Sequence, residues 1–96
     1  MHMREILEQQ AHLVILKALT ECNGEANESI LESCLDIYGL KCSRDQVRSY
    51  ICWLCEQGLV TKEEISGFYI VTITGRGTDA ADGRTTVPGV KKPRPR

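Results

Sequence analysis

The chain has 96 residues, of which 42% are hydrophobic and 26% charged, as is typical of one soluble globular domain. No apolar run reaches the roughly 20 residues that a membrane span requires, and the first residues lack the pattern of a secretory signal. The net charge of −1 conceals an asymmetry, because residues 1–83 carry −6 and residues 84–96 carry +5.

Three helices are predicted before residue 58. Residues 3–21 contain good helix formers without Gly or Pro, and their apolar positions recur at helical spacing. A second helix opens at Asn27 or Glu28 and runs to about Tyr38. The third begins with a capping box in which Ser43 and Gln46 satisfy each other's backbone amides. It buries Val47, Ile51, Leu54 and Cys55 and ends at Gly58.

Two β-rich runs follow the third helix. Residues 59–62 and 68–74 alternate as strands do, with residues 63–67 as the expected hairpin tip. Residues 74–82 can form a short closing helix, and residues 84–96, with three Pro and five basic residues, predict a flexible basic tail. The order predicts an α+β winged helix-turn-helix, a three-helix bundle plus a β-hairpin wing, over residues 1–83.

Several local motifs also match one protein family. They are Arg4-Glu5-Ile6-Leu7-Glu8, Ser43-Arg44-Asp45-x-Val47-Arg48, Trp53-Leu54-x-Glu56-Gln57-Gly58-Leu59-Val60 and Gly83-Arg84-x-Thr86-Val87-Pro88-Gly89-Val90-Lys91. With these motifs the chain resembles the small winged-helix proteins of Mu-like transposable phages and prophages. The resemblance implies a winged helix and a phage or prophage origin, and so the cytoplasm of a bacterial host. It implies no particular activity.

The leading functional hypothesis is an accessory or regulatory protein that binds double-stranded DNA. In such folds the third helix enters the major groove, where Arg reads guanine edges, and basic side chains elsewhere contact phosphates. The candidate DNA-binding residues are Arg44, Arg48, Ser49, Lys62, Lys91, Lys92, Arg94 and Arg96. The acidic side chains of Asp45, Glu56, Glu63 and Glu64 oppose this hypothesis, because they repel phosphate. On the competing interpretation the third helix has a solvated face and the tail basics only confer solubility.

The alternative function is a protein–protein interaction module in phage assembly or DNA packaging. Its acidic wing and outer helix face would bind another phage protein. A homodimer is also expected, with Met3, Ile6 and Leu7 as candidate contacts, because these apolar residues exceed what a minimal winged helix needs. Tyr50 and Trp53 are expected beneath the hairpin, against Phe68 or Tyr69.

An enzyme is not expected, because no nucleophile set, phosphate loop or carboxylate pair can be assembled. His12 is interpreted as a surface or boundary residue. The odd number of cysteines, five, fits reduced thiols in a cytosol. Cys52 and Cys55 form a Cys-x-x-Cys pair, to which Cys34 or Cys42 could add zinc ligands. Because that pair lies inside a helix, we expect no metal and no cofactor.

Overall fold

The computed structural model describes residues 3–93, which form helices around a core that a three-stranded antiparallel sheet closes. The elements are α1 (Met3–Glu21), β1 (Glu25–Asn27), α2 (Glu28–Ile37), α3 (Arg44–Glu56), β2 (Val60–Ile65), β3 (Phe68–Ile73) and α4 (Gly75–Asp82). The predicted winged-helix fold is confirmed. Within the described residues no helix is both long and apolar enough to cross a bilayer.

The predicted third helix is α3, and it begins with one of the two predicted bonds of the capping box, while Cys55 is half-buried rather than buried. The Ser43 hydroxyl accepts a hydrogen bond from the Gln46 amide at 3.1 Å, which satisfies one of the free donors at the helix start. Val47, Ile51 and Leu54 are fully buried against α1, α2 and the hairpin. Burying side chains of this size contributes about 1.5–3 kcal/mol each, so this stripe fixes α3 in the bundle.

The wing hairpin is tighter than the sequence analysis predicted. Residues 63–65 were expected in the loop, but they continue β2 and pair with residues 68–70 of β3. Only Ser66 and Gly67 form the turn, both with positive φ (53° and 83°). Two such residues match the tight hairpin turns whose twist suits antiparallel strands. The wing therefore extends as paired strands almost to its end.

Strand β1 was not predicted. Residues 25–27 were interpreted as the end of the first helix and the start of the second, but they pair antiparallel with residues 70–72. Ala26 is buried by this pairing. Three residues are too few to show an alternating pattern, so only the proximity of β3 explains the strand.

The C-terminal segment differs most from expectation. Residues 84–93, here called the C-terminal strap, fold back over the helices instead of forming a flexible tail. Val87 and Val90 join the core, exposed by 2% and 9%. The Lys91 amide donates to the Gln9 carbonyl at 3.1 Å, which fixes the strap on α1. Two apolar anchors three residues apart outweigh the Pro-rich, basic composition that predicted disorder.

Three aromatic rings lie at positions that differ from the predicted ones. Tyr50 and Trp53 pack against His12 of α1 rather than beneath the hairpin, and His12 is buried instead of lying at the surface. The His12 and Trp53 rings stack at 4.2 Å, and Tyr50 meets His12 edge-on at 5.3 Å. His12 Nδ1 lies 2.7 Å from the Gly89 carbonyl of the strap. Burial lowers the pKa of His12, which favours the neutral ring that donates from Nδ1.

Gly89 is the residue that lets the strap reach Trp53. It has a φ of 96°, and an added Cβ would lie 2.5 Å from Trp53 Cζ2. We expect Gly89→Ala to lower the free energy of unfolding by about 2–4 kcal/mol, from backbone strain plus overpacking. Urea denaturation measures the loss.

Gly39→Ala is the matched control for that substitution. Gly39 has a similar φ of 79°, but a Cβ added there would meet no atom within 4 Å. It should cost only the backbone strain, about 1–2 kcal/mol. Equal losses for the two variants would show that the strap does not depend on close packing against Trp53.

Candidate nucleic-acid interface

The polar face of α3 carries the candidate DNA-binding side chains that the sequence analysis placed there. Arg44 and Arg48 are one helical turn apart and lie on the same face. Their side chains are 52% and 27% exposed. Both point to the junction of α3, the start of α2 and the wing turn.

The buried carboxylate of Glu28 holds both arginines. Glu28 is only 2% exposed and accepts from Arg44 Nε at 3.2 Å. It also accepts from Arg48 Nε and Nη2, each at 2.8 Å, and from the Tyr69 amide at 2.8 Å. Both ion pairs found among residues 3–93 end on this carboxylate. Such a charge-assisted, two-point contact is geometrically specific, so Glu28 fixes the direction of Arg48.

The same two arginines attach the wing to α3. Arg44 Nη2 donates to the Gly67 carbonyl at 2.9 Å, and Arg48 Nη2 donates to the same oxygen. The Arg44 guanidinium lies 4.9 Å from the centre of the Phe68 ring, and that of Arg48 lies 4.5 Å from the Tyr69 ring. The wing turn is therefore held beside the first turns of α3.

The charges of this junction are nearly balanced. The pKa of Glu28 is lowered to about 2, mainly by the hydrogen bonds from Arg48, although burial acts in the opposite direction. Glu28 in turn raises the pKa of Arg48. The group of Glu28, Arg44 and Arg48 thus has a net charge of +1. Lys62 adds one positive charge, 4.9 Å above the Tyr69 ring, while Asp45 and Glu64 add two negative ones.

The other candidate residues lie on different surfaces. Ser49 is exposed on α3 and lines a cleft of about 500 Å³ with His12 and Trp53. Lys91 and Lys92 are exposed on the strap and line a separate cleft of about 410 Å³, to which no residue of α3 contributes. The last two candidates, Arg94 and Arg96, lie outside the described residues.

Glu28 itself was missed in the sequence analysis. It was assigned only as a possible start of α2, and it precedes Arg44 and Arg48 by 16 and 20 residues. No periodic pattern links residues so far apart. An acidic residue in the first turn of α2 is also favourable for the helix dipole alone, so its second role has no local signature.

The cysteines form no metal cluster in the described part of the chain. All five are half-buried free thiols, and within residues 3–93 no group of three His, Cys, Asp or Glu side chains converges as metal ligands would. Cys42 donates to the Leu40 carbonyl at 3.0 Å, and burial raises the pKa of its thiol.

The lowered pKa of Glu28 predicts a pH dependence of stability. Because its folded-state pKa of about 2 is below its ordinary value of 4.5, its contribution is complete above pH 5. That contribution is lost as the pH falls from about 5 to 2. Glu28→Gln should cost about 1–3 kcal/mol at neutral pH and flatten this slope, as measured by urea denaturation across the pH range.

Glu63→Gln serves as the control, since Glu63 is exposed on β2. It should leave both the stability and the acid slope nearly unchanged. An unchanged slope in Glu28→Gln would contradict the assignment of the acid-sensitive ion pair to Glu28.

Comparison with known sequences gives close relatives from phage and bacteria. No family model matches the chain. It is 60% identical over 92 residues to the uncharacterised protein gp26 of Escherichia phage Mu, covering 96% of each chain. It is 44% identical over 77 residues to an uncharacterised protein of Haemophilus influenzae, covering 79% of this chain and 76% of that protein.

Comparison with solved structures gives the same fold at low sequence identity. F93 from STIV, a winged-helix DNA-binding protein, superposes with a TM-score of 0.63 at 19% identity, over 74% of this chain and 78% of F93. The structure of an hsRosR-S4 complex gives 0.63 at 22% identity, over 74% and 62%. BpsR of Bordetella bronchiseptica, whose DNA binding is regulated by 6-hydroxynicotinic acid, gives 0.61 at 20% identity, over 75% and 52%. The chain therefore belongs, with gp26 of phage Mu, to a family of small winged-helix proteins of Mu-like phages and prophages.

Proposed function

We propose that this protein is a non-enzymatic accessory or regulatory protein of a Mu-like phage or prophage that binds duplex DNA in the host cytoplasm. The observation that carries the proposal is the placement of Arg44 and Arg48 at the start of α3 and beside the wing turn. In helix-turn-helix proteins the first turns of this helix contact base edges. The solved winged-helix proteins described above, two of which are named for DNA binding, support the same role.

The bonds to Glu28 leave both arginines able to bind an anion. Each guanidinium has five N–H donors. Arg44 makes two hydrogen bonds to Glu28 and Gly67, and Arg48 makes three, so each keeps at least two donors for an anion. A guanidinium whose direction is already fixed loses less conformational entropy when it binds phosphate. Lys62 lies on the wing above the same Tyr69 ring as Arg48 and is proposed as a further contact. Ser49 is exposed on α3 but lines the cleft beside α1, and it is proposed as a contact at the edge of the same interface.

The balanced charge of this face limits the affinity. Asp45 follows Arg44 on α3, and Glu64 of the wing acts on Arg48, so only about two or three phosphates can be neutralised. The logarithm of the binding constant should then fall with the logarithm of salt concentration with a slope of roughly −2 to −3. Specific contacts, rather than net charge, must supply much of any useful affinity.

The first test of DNA binding introduces a negative charge on α3 at a residue that does not contact Glu28. Ser49→Glu adds a carboxylate to the exposed face of α3, and we expect it to weaken duplex binding by about tenfold through phosphate repulsion. The double variant Arg44→Ala and Arg48→Ala should reduce the salt slope by about two. Fluorescence anisotropy with labelled phage DNA fragments at several salt concentrations measures both effects.

Ser33→Glu is the control, because Ser33 is an exposed serine of α2 that lines a different cleft, with none of the candidate DNA-binding residues. It makes the same change in net charge and should leave binding nearly unchanged. Circular dichroism verifies that each variant is folded. Absence of duplex binding by the unaltered protein at low salt would reject the proposal.

A protein-interaction role is favoured by one observation on the wing. Ile65 and Phe68, exposed by 51% and 44%, lie at its end, and Glu25 and Glu63 lie on the same sheet. A mixed apolar and acidic surface suits a protein partner better than DNA. This role fits the alternative module in phage assembly or DNA packaging.

This alternative predicts a partner among phage proteins. The tagged chain should retain one phage protein from nuclease-treated lysate, and Phe68→Ser should abolish that retention. The control is Thr61→Ser, a mild change at an exposed position of β2. Recovery of nucleic acid alone, lost on nuclease treatment, would contradict the alternative.

The proposed homodimer stays a prediction. Met3, Ile6 and Leu7 are exposed by 69%, 46% and 46% at the start of α1, where a second copy could cover them.

A further inference from the structure

The strap creates a cleft that the sequence does not predict. The cleft has a volume of about 410 Å³ and lies where the strap crosses α1 near the end of α2. The hydrogen bond from the Lys91 amide to the Gln9 carbonyl holds the strap at that position. Helix α1, the residue that follows α2 and the strap therefore form one surface.

The floor of the cleft is apolar. Leu13 and Val14 of α1 line its base and are already only 6% and 2% exposed, so Tyr38, which follows α2 and is 57% exposed, is the apolar side chain that a partner would cover. Ile37, the neighbour of Tyr38, is 81% exposed. Large apolar side chains of this kind gain free energy when a partner removes them from water.

The rim of the cleft is basic. Lys17, Lys91 and Lys92 line it and are all exposed, and no acidic residue of the described chain lines it with them. Lys17 also lines a neighbouring cleft with Glu21 and Asp82, but neither of these acidic residues lines the cleft under the strap. This concentration of positive charge contrasts with the net charge of −6 of residues 1–83.

We propose that this cleft binds an acidic segment of another protein, with an apolar side chain placed on the floor and carboxylates paired with the three lysines. Lysines at a rim guide an acidic partner and set its orientation, while the apolar contact supplies affinity. The site is separate from the face of α3, and the proposal does not depend on DNA binding.

Duplex DNA fits this cleft less well than an acidic peptide does. The outside of a duplex is a sugar–phosphate surface, which is poor in apolar groups that could cover Tyr38. Phosphates could pair with the lysines, but the exposed ring of Tyr38 would keep its contact with water. A partner with both carboxylates and an apolar side chain satisfies both parts of the cleft.

The test uses the full chain and a fluorescent peptide in which Leu and Phe are flanked by Asp and Glu. We expect saturable binding that weakens with salt. Lys17→Glu should weaken it by about fivefold, and the double variant Lys91→Glu and Lys92→Glu by at least about tenfold. Tyr38→Ala should weaken it by about fivefold through the lost apolar contact.

Lys41→Glu is the matched control, because Lys41 is exposed, lies outside this cleft and gives the same change in net charge as Lys17→Glu. It should leave peptide binding within about twofold of the unaltered protein. A second peptide with Ser in place of Leu and Phe should bind more weakly.

Three results would overturn the proposal. The first is equal weakening by Lys17→Glu and Lys41→Glu, which would indicate only a general charge effect. The second is full binding by Tyr38→Ala or by the serine peptide. The third is a loss of duplex DNA binding, with unchanged peptide binding, in the Lys17 and Lys91 variants, which would assign the cleft to nucleic acid.

Discussion

The position of the wing depends on one buried carboxylate, that of Glu28. Removing a carboxylate from water costs several kcal/mol unless hydrogen bonds and opposite charge replace the lost hydration. Four donors do so here, from Arg44, Arg48 and the Tyr69 amide, and they come from α3 and β3. Since Glu28 itself begins α2, the requirement to satisfy one group connects two helices and the central strand. Apolar packing alone has no such directional requirement, and it would leave the wing freer to move over α3.

Much of the fold can be predicted from local sequence signals, whereas the candidate site cannot. The caps of Asn27 and Ser43 start α2 and α3 where the sequence predicts, because each cap is satisfied within four residues. By contrast, Glu28 meets its arginines across 16 and 20 residues, and His12 meets Gly89 across 77. Such pairs depend on how the elements pack, which one sequence does not reveal. Strand β1 was missed for the same reason, because its only support is β3.

The strap shows how composition can mislead a prediction. Pro, Gly and basic residues predict a flexible tail, yet the burial of Val87 and Val90 and the hydrogen bonds of Gly89 and Lys91 together offset the entropy lost when the strap becomes ordered. Gly89 permits the approach because its missing side chain leaves room for the Trp53 ring. The buried ring of His12 then provides a hydrogen-bond donor for the Gly89 carbonyl. The strap is thus a structural part of the winged-helix domain.

The distribution of charge on the surface follows from the ion pairs of Glu28 and from the position of the strap. Glu28 neutralises one of the two arginines on the face of α3, so that face offers oriented guanidinium groups but little net positive charge. The strap meanwhile carries Lys91 and Lys92 to Lys17, on a surface that α3 does not share. In the proposed complex with DNA, geometry would dominate recognition at α3, because long-range attraction to phosphate is weak there. At the cleft the order would be reversed, since the exposed lysines would attract the proposed acidic partner before Tyr38 makes its apolar contact. The two proposed surfaces would then select their partners by different interactions, oriented hydrogen bonds at α3 and opposite charge at the cleft.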